Sequence, residues 1–155
     1  MSSVERFVEE MGLMSQERGD TRIAGRIFGL LVIEGHELSL QQISEQLGVS
    51  RASVSTNARL LAKRGFIRLT TRTGDRQDYY QLVGFPYDDL LAEVAQQFTQ
   101  HAHAISAFVD PIRAERPGAA DRITELCKFY EKSAAFLQRW ALAVRDEQTS
   151  QKDKT

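Results

Sequence analysis

The segment from Ser39 to Val83, SLQQISEQLGVSRASVSTNARLLAKRGFIRLTTRTGDRQDYYQLV, limits this chain's folding more than any other stretch. Ser39 and Gln42 form an S-x-x-Q pattern, in which each end satisfies the other's unpaired backbone N–H and starts a helix. Leu40, Ile43 and Leu47 follow at helical spacing and give that helix one buried stripe. Gly48 stops it, since glycine takes the left-handed conformation of a helix end without steric cost. Val49 fills the corner, and Ser50 is placed to cap a second helix. There Val54, Ala58 and Leu61 fall on one face, ready to pack on the first helix. The other side and the amino end carry Ser50, Arg51, Ser53, Thr56, Asn57 and Arg59. Apart from Leu60, this outward face holds hydrogen-bond donors and acceptors rather than large apolar groups.

Gly65 ends the second helix, and residues 66–72 then alternate with strand-forming composition. Residues 73–76, Thr-Gly-Asp-Arg, make a charged turn, and residues 77–83 return as a second strand. Two helices joined by a tight turn and followed by a hairpin form a winged helix-turn-helix. That arrangement lays its second helix, amino end first, in the major groove of DNA. Residues 50–76 hold seven Lys and Arg against one acid, a local +6 in a chain of net charge -1. Such asymmetry is the electrostatic footprint of a polyanion site. Arg or Lys on guanine and Asn on adenine are common base contacts. Ser50, Arg51, Ser53, Thr56, Asn57 and Arg59 are therefore the expected DNA contacts of the helix. Arg72 and Arg76 are those of the wing, on phosphates or in the minor groove.

The run VSRASVSTNARLLAKRGFIRLTTRTGDRQDYYQL resembles the winged helix-turn-helix of MarR-type regulators. RIAGRIFGLLVIEG upstream and GDRQDYY in the wing resemble their GbsR-like branch in particular. The resemblance extends over residues 3–83, with Ala52 where many members carry Gly. It implies a dimeric transcriptional regulator, some relatives of which respond to osmoprotectants such as choline.

At 155 residues the chain suits one domain with an oligomerisation arm. No run approaches the roughly 20 apolar residues that span a bilayer. The acidic start MSSVERFVEE does not read as a signal peptide, so the cytoplasm is the expected compartment. Cys127 is the only cysteine, which excludes an internal disulfide and multi-cysteine metal motifs. Residues 1–19 are expected to hold a helix capped by Ser3. Its stripe of Val4, Phe7, Val8 and Met11 needs cover from the carboxy-terminal helices or a second subunit. Asp20 or Thr21 should cap the next helix, opening a DNA-binding domain over 20–84. In it Gly25 and Gly29 mark either a close helix crossing or room for a small molecule.

Residues 85–147 read as a helical dimerisation region. Leu90, Leu91, Val94, Phe98, Ala102 and Ile105 recur at helical spacing, and Pro111 should kink or end their helix. A last helix, from about Ala119 to Glu147, has Phe129, Phe136 and Trp140 widening its apolar face. Two such helices need a further surface, and a second copy of the chain is the economical one. The polar tail 148–155 is expected to be disordered. The expected fold is thus mainly α, a winged helix-turn-helix with a two-stranded β wing and long carboxy-terminal dimerisation helices.

Catalytic chemistry is thin. His101 and His103, two apart, point about 200° away from each other on a helix and cannot share a metal. Asp88-Asp89 reads as a helix start, and Cys127 as a buried thiol with redox sensing as the lesser alternative. No nucleophile arrangement, phosphate loop or dinucleotide fingerprint is present, so neither enzyme activity, cofactor nor metal is expected. Phe28, Phe85, Tyr87, Phe98 and Trp140 are open to two readings, core packing or an aromatic pocket for a cationic effector. The function expected is sequence-specific regulation by a homodimer on a pseudo-palindromic double-stranded operator, repression by default. A non-specific architectural DNA binder and a winged-helix protein-interaction module are the alternatives.

Overall fold

Ser2, not Ser3, starts the first helix, α1 (Ser3–Glu17). Its Oγ accepts from Glu5 N at 3.1 Å while the Glu5 carboxylate accepts from Ser2 N at 2.6 Å. The S-x-x-E pair that closes this box begins at Ser2, and Ser3 has no acid at the matching position. Thr21, the second of the two expected caps, opens α2 (Arg22–Glu34), accepting from Ala24 N at 3.0 Å. This is a computed structural model, and it describes residues 1–84 and 87–154. The chain divides into two units, Met1–Phe85 and Pro86–Thr155.

In the first unit α1 lies on α2 at a glycine crossing. A Cβ on Gly25 would sit 2.2 Å from the Met11 carbonyl oxygen and 2.8 Å from Gly12 Cα. The glycine pair is therefore a close helix approach, with no space for a ligand at that point. Val8 is buried in the unit's core and Met11 packs against it. One side of the amino-terminal stripe thus finds its partner on α2, while Val4 and Phe7 stay exposed. Glu9 ties the crossing to two arginines of α2, Arg22 and Arg26, whose guanidinium groups hold its carboxyl below the usual range.

The core beneath is formed by Ile27, Leu31, Leu38, Ile43, Val54 and Ile67. Burying a side chain of this size contributes about 1.5–3 kcal/mol. These residues come from α2, β1 (Leu38–Ser39), α3 (Leu40–Leu47), α4 (Arg51–Lys63) and β2 (Ile67–Thr70). β3 (Tyr79–Leu82) lies between β1 and β2 in an antiparallel sheet, with Leu38 and Leu69 both opposite Tyr80. The sheet thus has three strands, one more than the wing alone. A two-residue strand shows no alternation that a sequence can reveal, and β1 also overlaps the capping box of α3. The wing strands are shorter than expected, because residues 71–78 form the loop instead.

The second unit holds α5 (Tyr87–Ser106), α6 (Val109–Glu115) and α7 (Pro117–Lys152). Its first helix ends before Pro111, which lies in the first turn of α6 where a missing N–H costs nothing. The last helix runs through residues 148–152, where disorder was expected, and Thr149 Oγ1 bonds back to Arg145 O at 3.0 Å. Arg145 on Asp88 and Cys127 beside Ala102 set α5 and α7 antiparallel. Their seam is built of small residues at seven-residue intervals, Ala95 and Ala102 against Cys127, Ala134 and Ala141. A seven-residue repeat of small side chains lets two helices run close along their length. Phe129, Phe136, Trp140 and Leu142 lie off this seam and are more than half exposed, at 61%, 57%, 51% and 59%.

Candidate nucleic-acid interface

The amino end of α4 is held open by its cap. Ser50 Oγ accepts from Ser53 N at 3.1 Å and lies 3.0 Å from Ser53 Oγ, so both hydroxyls stay at the helix start. Arg51, Thr56 and Arg59 are exposed, and Ser53 is half-buried. Arg59 folds back onto its own helix, donating to Ser55 Oγ at 2.7 Å.

Asn57 departs from expectation. It is 8% exposed, on the inner side of α4 with Val54, Ala58 and Leu61. Its Nδ2 donates to Ser53 O at 2.8 Å, and its Oδ1 accepts from the hydroxyl of Thr21. Both ends of the amide are committed, so Asn57 is a strut between α4 and the start of α2, buried where an outward contact was expected. Arg64 and Asp20 form an ion pair at the same junction.

Arg72 is also engaged within the protein. Its Nε and Nη2 donate to Glu37 Oε1 at 2.8 and 2.5 Å, and its guanidinium lies 4.0 Å above the Tyr79 ring. Thr70 Oγ1 donates to the other Glu37 oxygen at 2.8 Å. Tyr79 Oη donates to Asp75 Oδ2 at 2.6 Å, and Asp75 Oδ1 accepts from Gln77 N. The Thr70 hydroxyl and then Arg72 hold the Glu37 carboxyl below its usual range, and the Tyr79 hydroxyl does the same for Asp75. Glu37 in turn raises Arg72, and Asp75 raises the Tyr79 phenol. Ion pairs among the described residues thus take two of the seven cations, Arg64 and Arg72. Arg51, Arg59, Lys63, Arg68 and Arg76 form no ion pair among the described residues.

Arg51 and Arg76 meet at one place. Together with Leu40, Gln41, Gln77 and Asp78 they line an open cleft of about 270 Å³, where the amino ends of α3 and α4 face the wing loop. The fold therefore joins the start of the second helix to the wing tip, 25 residues apart in sequence. Gln41 and Gln77 were not singled out by the sequence, because glutamine carries no charge and their approach is tertiary.

The aromatic set is divided between the two units. Phe28 is buried in the core of the first unit, edge-on to Phe66 at 5.3 Å. In the second unit Phe98 packs on Tyr130 at 5.4 Å and Trp140 lies 6.3 Å from Phe136, while Tyr87 opens α5. Phe85 lies outside the described residues. Core packing is therefore the account of Phe28. Cys127 is buried, with Sγ 3.8 Å from Ala102 O. Among the described residues no cluster of His, Cys, Asp and Glu is arranged to hold a metal, and no helix is long and apolar enough to cross a membrane.

Residues 21–78 match the MarR family. That segment holds the helix-turn-helix and most of the wing. The chain is also 42% identical over 77 residues to the HTH-type transcriptional regulator MmpR5 of Mycobacterium tuberculosis. The alignment takes in 49% of this chain and 47% of that protein, so it spans about half the relative's length. A crystal structure of a transcriptional regulator shares the fold, with a TM-score of 0.66 and 23% identity over 96% of this chain and 99% of the other. That likeness takes in both the winged helix and the long carboxy-terminal helices.

Proposed function

We propose that the protein is a sequence-specific DNA-binding transcriptional regulator of MarR type that works as a homodimer. The observation that carries this is the shared cleft of Arg51 and Arg76, beside the exposed polar face of α4. Ser50, Arg51, Ser53, Thr56 and Arg59 supply the groove contacts and Arg76 the wing contact. Two copies set their α4 helices in successive major grooves about 10 base pairs apart and read a pseudo-palindrome. Phe129, Phe136 and Trp140 support the dimer, since α7 meets α5 through small residues and leaves these rings exposed. A bound dimer over a promoter excludes polymerase, so repression is the default action, in the cytoplasm.

The finer assignment rests on sequence motifs. RIAGRIFGLLVIEG and GDRQDYY favour the GbsR-like branch, and with it a cationic effector near Tyr87, Phe98 and Trp140. Such an effector would change the spacing of the two heads through α5 and α7. Titrating choline into the protein–operator complex tests this, and unchanged DNA binding throughout would remove that effector.

The test of the main assignment is selection of bound duplexes from fragmented host DNA at about 0.15 M salt. One enriched pseudo-palindrome with half-sites a helical turn apart is the expected result. Strong retention without enrichment would make the protein an architectural binder, and no retention would refute DNA binding.

A further inference from the structure

Five side chains from separated parts of the first unit close around the root of the wing. Glu37 lies before β1, and Thr70, Arg72, Asp75 and Tyr79 belong to β2, the wing loop and β3. Glu37 is the only one outside the hairpin, 33 and 35 residues from the two groups it binds. Its two oxygens are divided between them, one on Thr70 Oγ1 and one on both Arg72 nitrogens. Arg72 is thereby pressed on the Tyr79 ring, whose hydroxyl reaches on to Asp75 at the turn. Asp75 N also bonds to Arg72 O at 3.0 Å, so the loop is closed through backbone and side chain together. Arg76 is the next residue. A loop this short, anchored at both ends, has few conformations, and a guanidinium carried on it loses little further freedom when it meets a phosphate.

We infer that Glu37 is a positioning residue of the DNA interface: it clasps Arg72 against Tyr79, fixing the wing so that Arg76 stays beside Arg51, and so withholds Arg72 from the phosphates. This rests on the proposed DNA binding and adds a residue that no charge pattern would select, since it is an acid beside a site for a polyanion. Its sign is what makes it testable. Charge alone predicts that deleting a carboxylate near DNA tightens binding. A clasp predicts the reverse, because the freed wing no longer presents Arg76 in place.

The experiment measures equilibrium binding of the full chain to its selected duplex over a salt series, for wild type, Glu37→Gln and Tyr79→Phe. The phenylalanine variant loosens the same loop at the Asp75 end with no change of charge. Both are expected to bind more weakly, with a salt slope shallower by about 0.9, the share of one phosphate contact. In parallel, the Arg72 Nε–H resonance of labelled wild-type protein is expected to be protected from solvent exchange and unmoved by DNA. In Glu37→Gln it should lose that protection. Tighter or unchanged binding by Glu37→Gln would overturn the role of Glu37, as would an Arg72 signal that shifts on DNA addition. Wild-type protein that binds no duplex would instead overturn the DNA-binding assignment and this role with it, a result distinct from failure of the variants alone.

Discussion

Replacing Gly25 with alanine gives the sharpest check on how the first helix is seated. The added Cβ would stand 2.2 Å from a backbone carbonyl of α1 and 2.6 Å from Ser15 Cβ. Neither atom belongs to a flexible side-chain end, so α1 must shift away from α2 and loosen Val8 and Met11 from the core. Overpacking of this kind costs about 1–3 kcal/mol, and alanine returns about 1 kcal/mol of helix propensity. The net expectation is a loss of up to about 2 kcal/mol, toward the upper end because the contact is with backbone. Gly29 provides the internal control on the same helix. Its added Cβ would lie 3.0 Å from Met11 Cβ and 3.1 Å from Met11 Cγ. The nearest atoms there belong to an unbranched side chain that can give way, so the propensity gain largely offsets the contact. Gly29→Ala should lie within about 1 kcal/mol of wild type. Urea unfolding followed by circular dichroism, fitted for midpoint and slope, separates the two. Equal midpoints for Gly25→Ala and wild type would mean that α1 does not cross α2 at this point. The glycine crossing and the Glu9 pairs with Arg22 and Arg26 would then both be wrong.

Arg76→Ala should weaken binding on all duplexes and flatten the salt slope by about 0.9, and unchanged binding in filter or anisotropy assays would remove the wing contact. Asn57→Ala should cost about 1–3 kcal/mol of stability, since it leaves the Thr21 hydroxyl without its acceptor. The selected operator motif should be unchanged, and a base preference relaxed at one position would show that Asn57 does read DNA. Phe136→Glu should sediment as a monomer while keeping its helical circular dichroism, and a dimer that persists would move the interface away from this face of α7. The carboxyls of Glu37, Asp75, Glu9 and Asp88 are all held below their ordinary values of 4.5 for Glu and 3.8 for Asp. At those pH values the unfolded chain binds more protons than the folded one. The stabilisation is therefore complete above about pH 5 and is lost as pH falls through the folded-state values. Urea midpoints measured from pH 7 down to 3 check this, and a midpoint flat to pH 3 would refute the pairings.

What the chain discloses in one dimension is what lies within four residues of itself. The Ser39–Gln42 box, the stop at Gly48, the Ser50 cap and the inward face of Val54, Ala58 and Leu61 all depend on such spacings, and all stand in the structure. The cap of α1 was displaced by one residue because two serines adjoin and only the acid at Glu5 chooses between them. β1 was missed because two residues carry no period. The continuation of α7 through residues 148–152 was missed because a polar composition argues for fraying, while a long helix already formed adds each further residue at little cost.

The proposed DNA-facing surface divides along the same line. Arg51, Thr56 and Arg59 are exposed, as helical geometry alone requires. Asn57 is one residue past Thr56, near the boundary between the faces, and composition gave it to the outside because asparagine is polar. Thr21, 36 residues earlier, decides otherwise, since a buried amide is tolerated where both its ends are bonded. Arg72 follows the same logic, because a count of cations treats it like Arg76 until Glu37 claims it. A charge count over residues 50–76 thus finds the surface but overstates its strength, because partners from residues 20 and 37 lie outside the window. The polar residues that a motif would assign to a ligand are first offered to the protein's own unpaired groups. Only those left over after tertiary packing, such as Arg51 and Arg76, remain available to a partner.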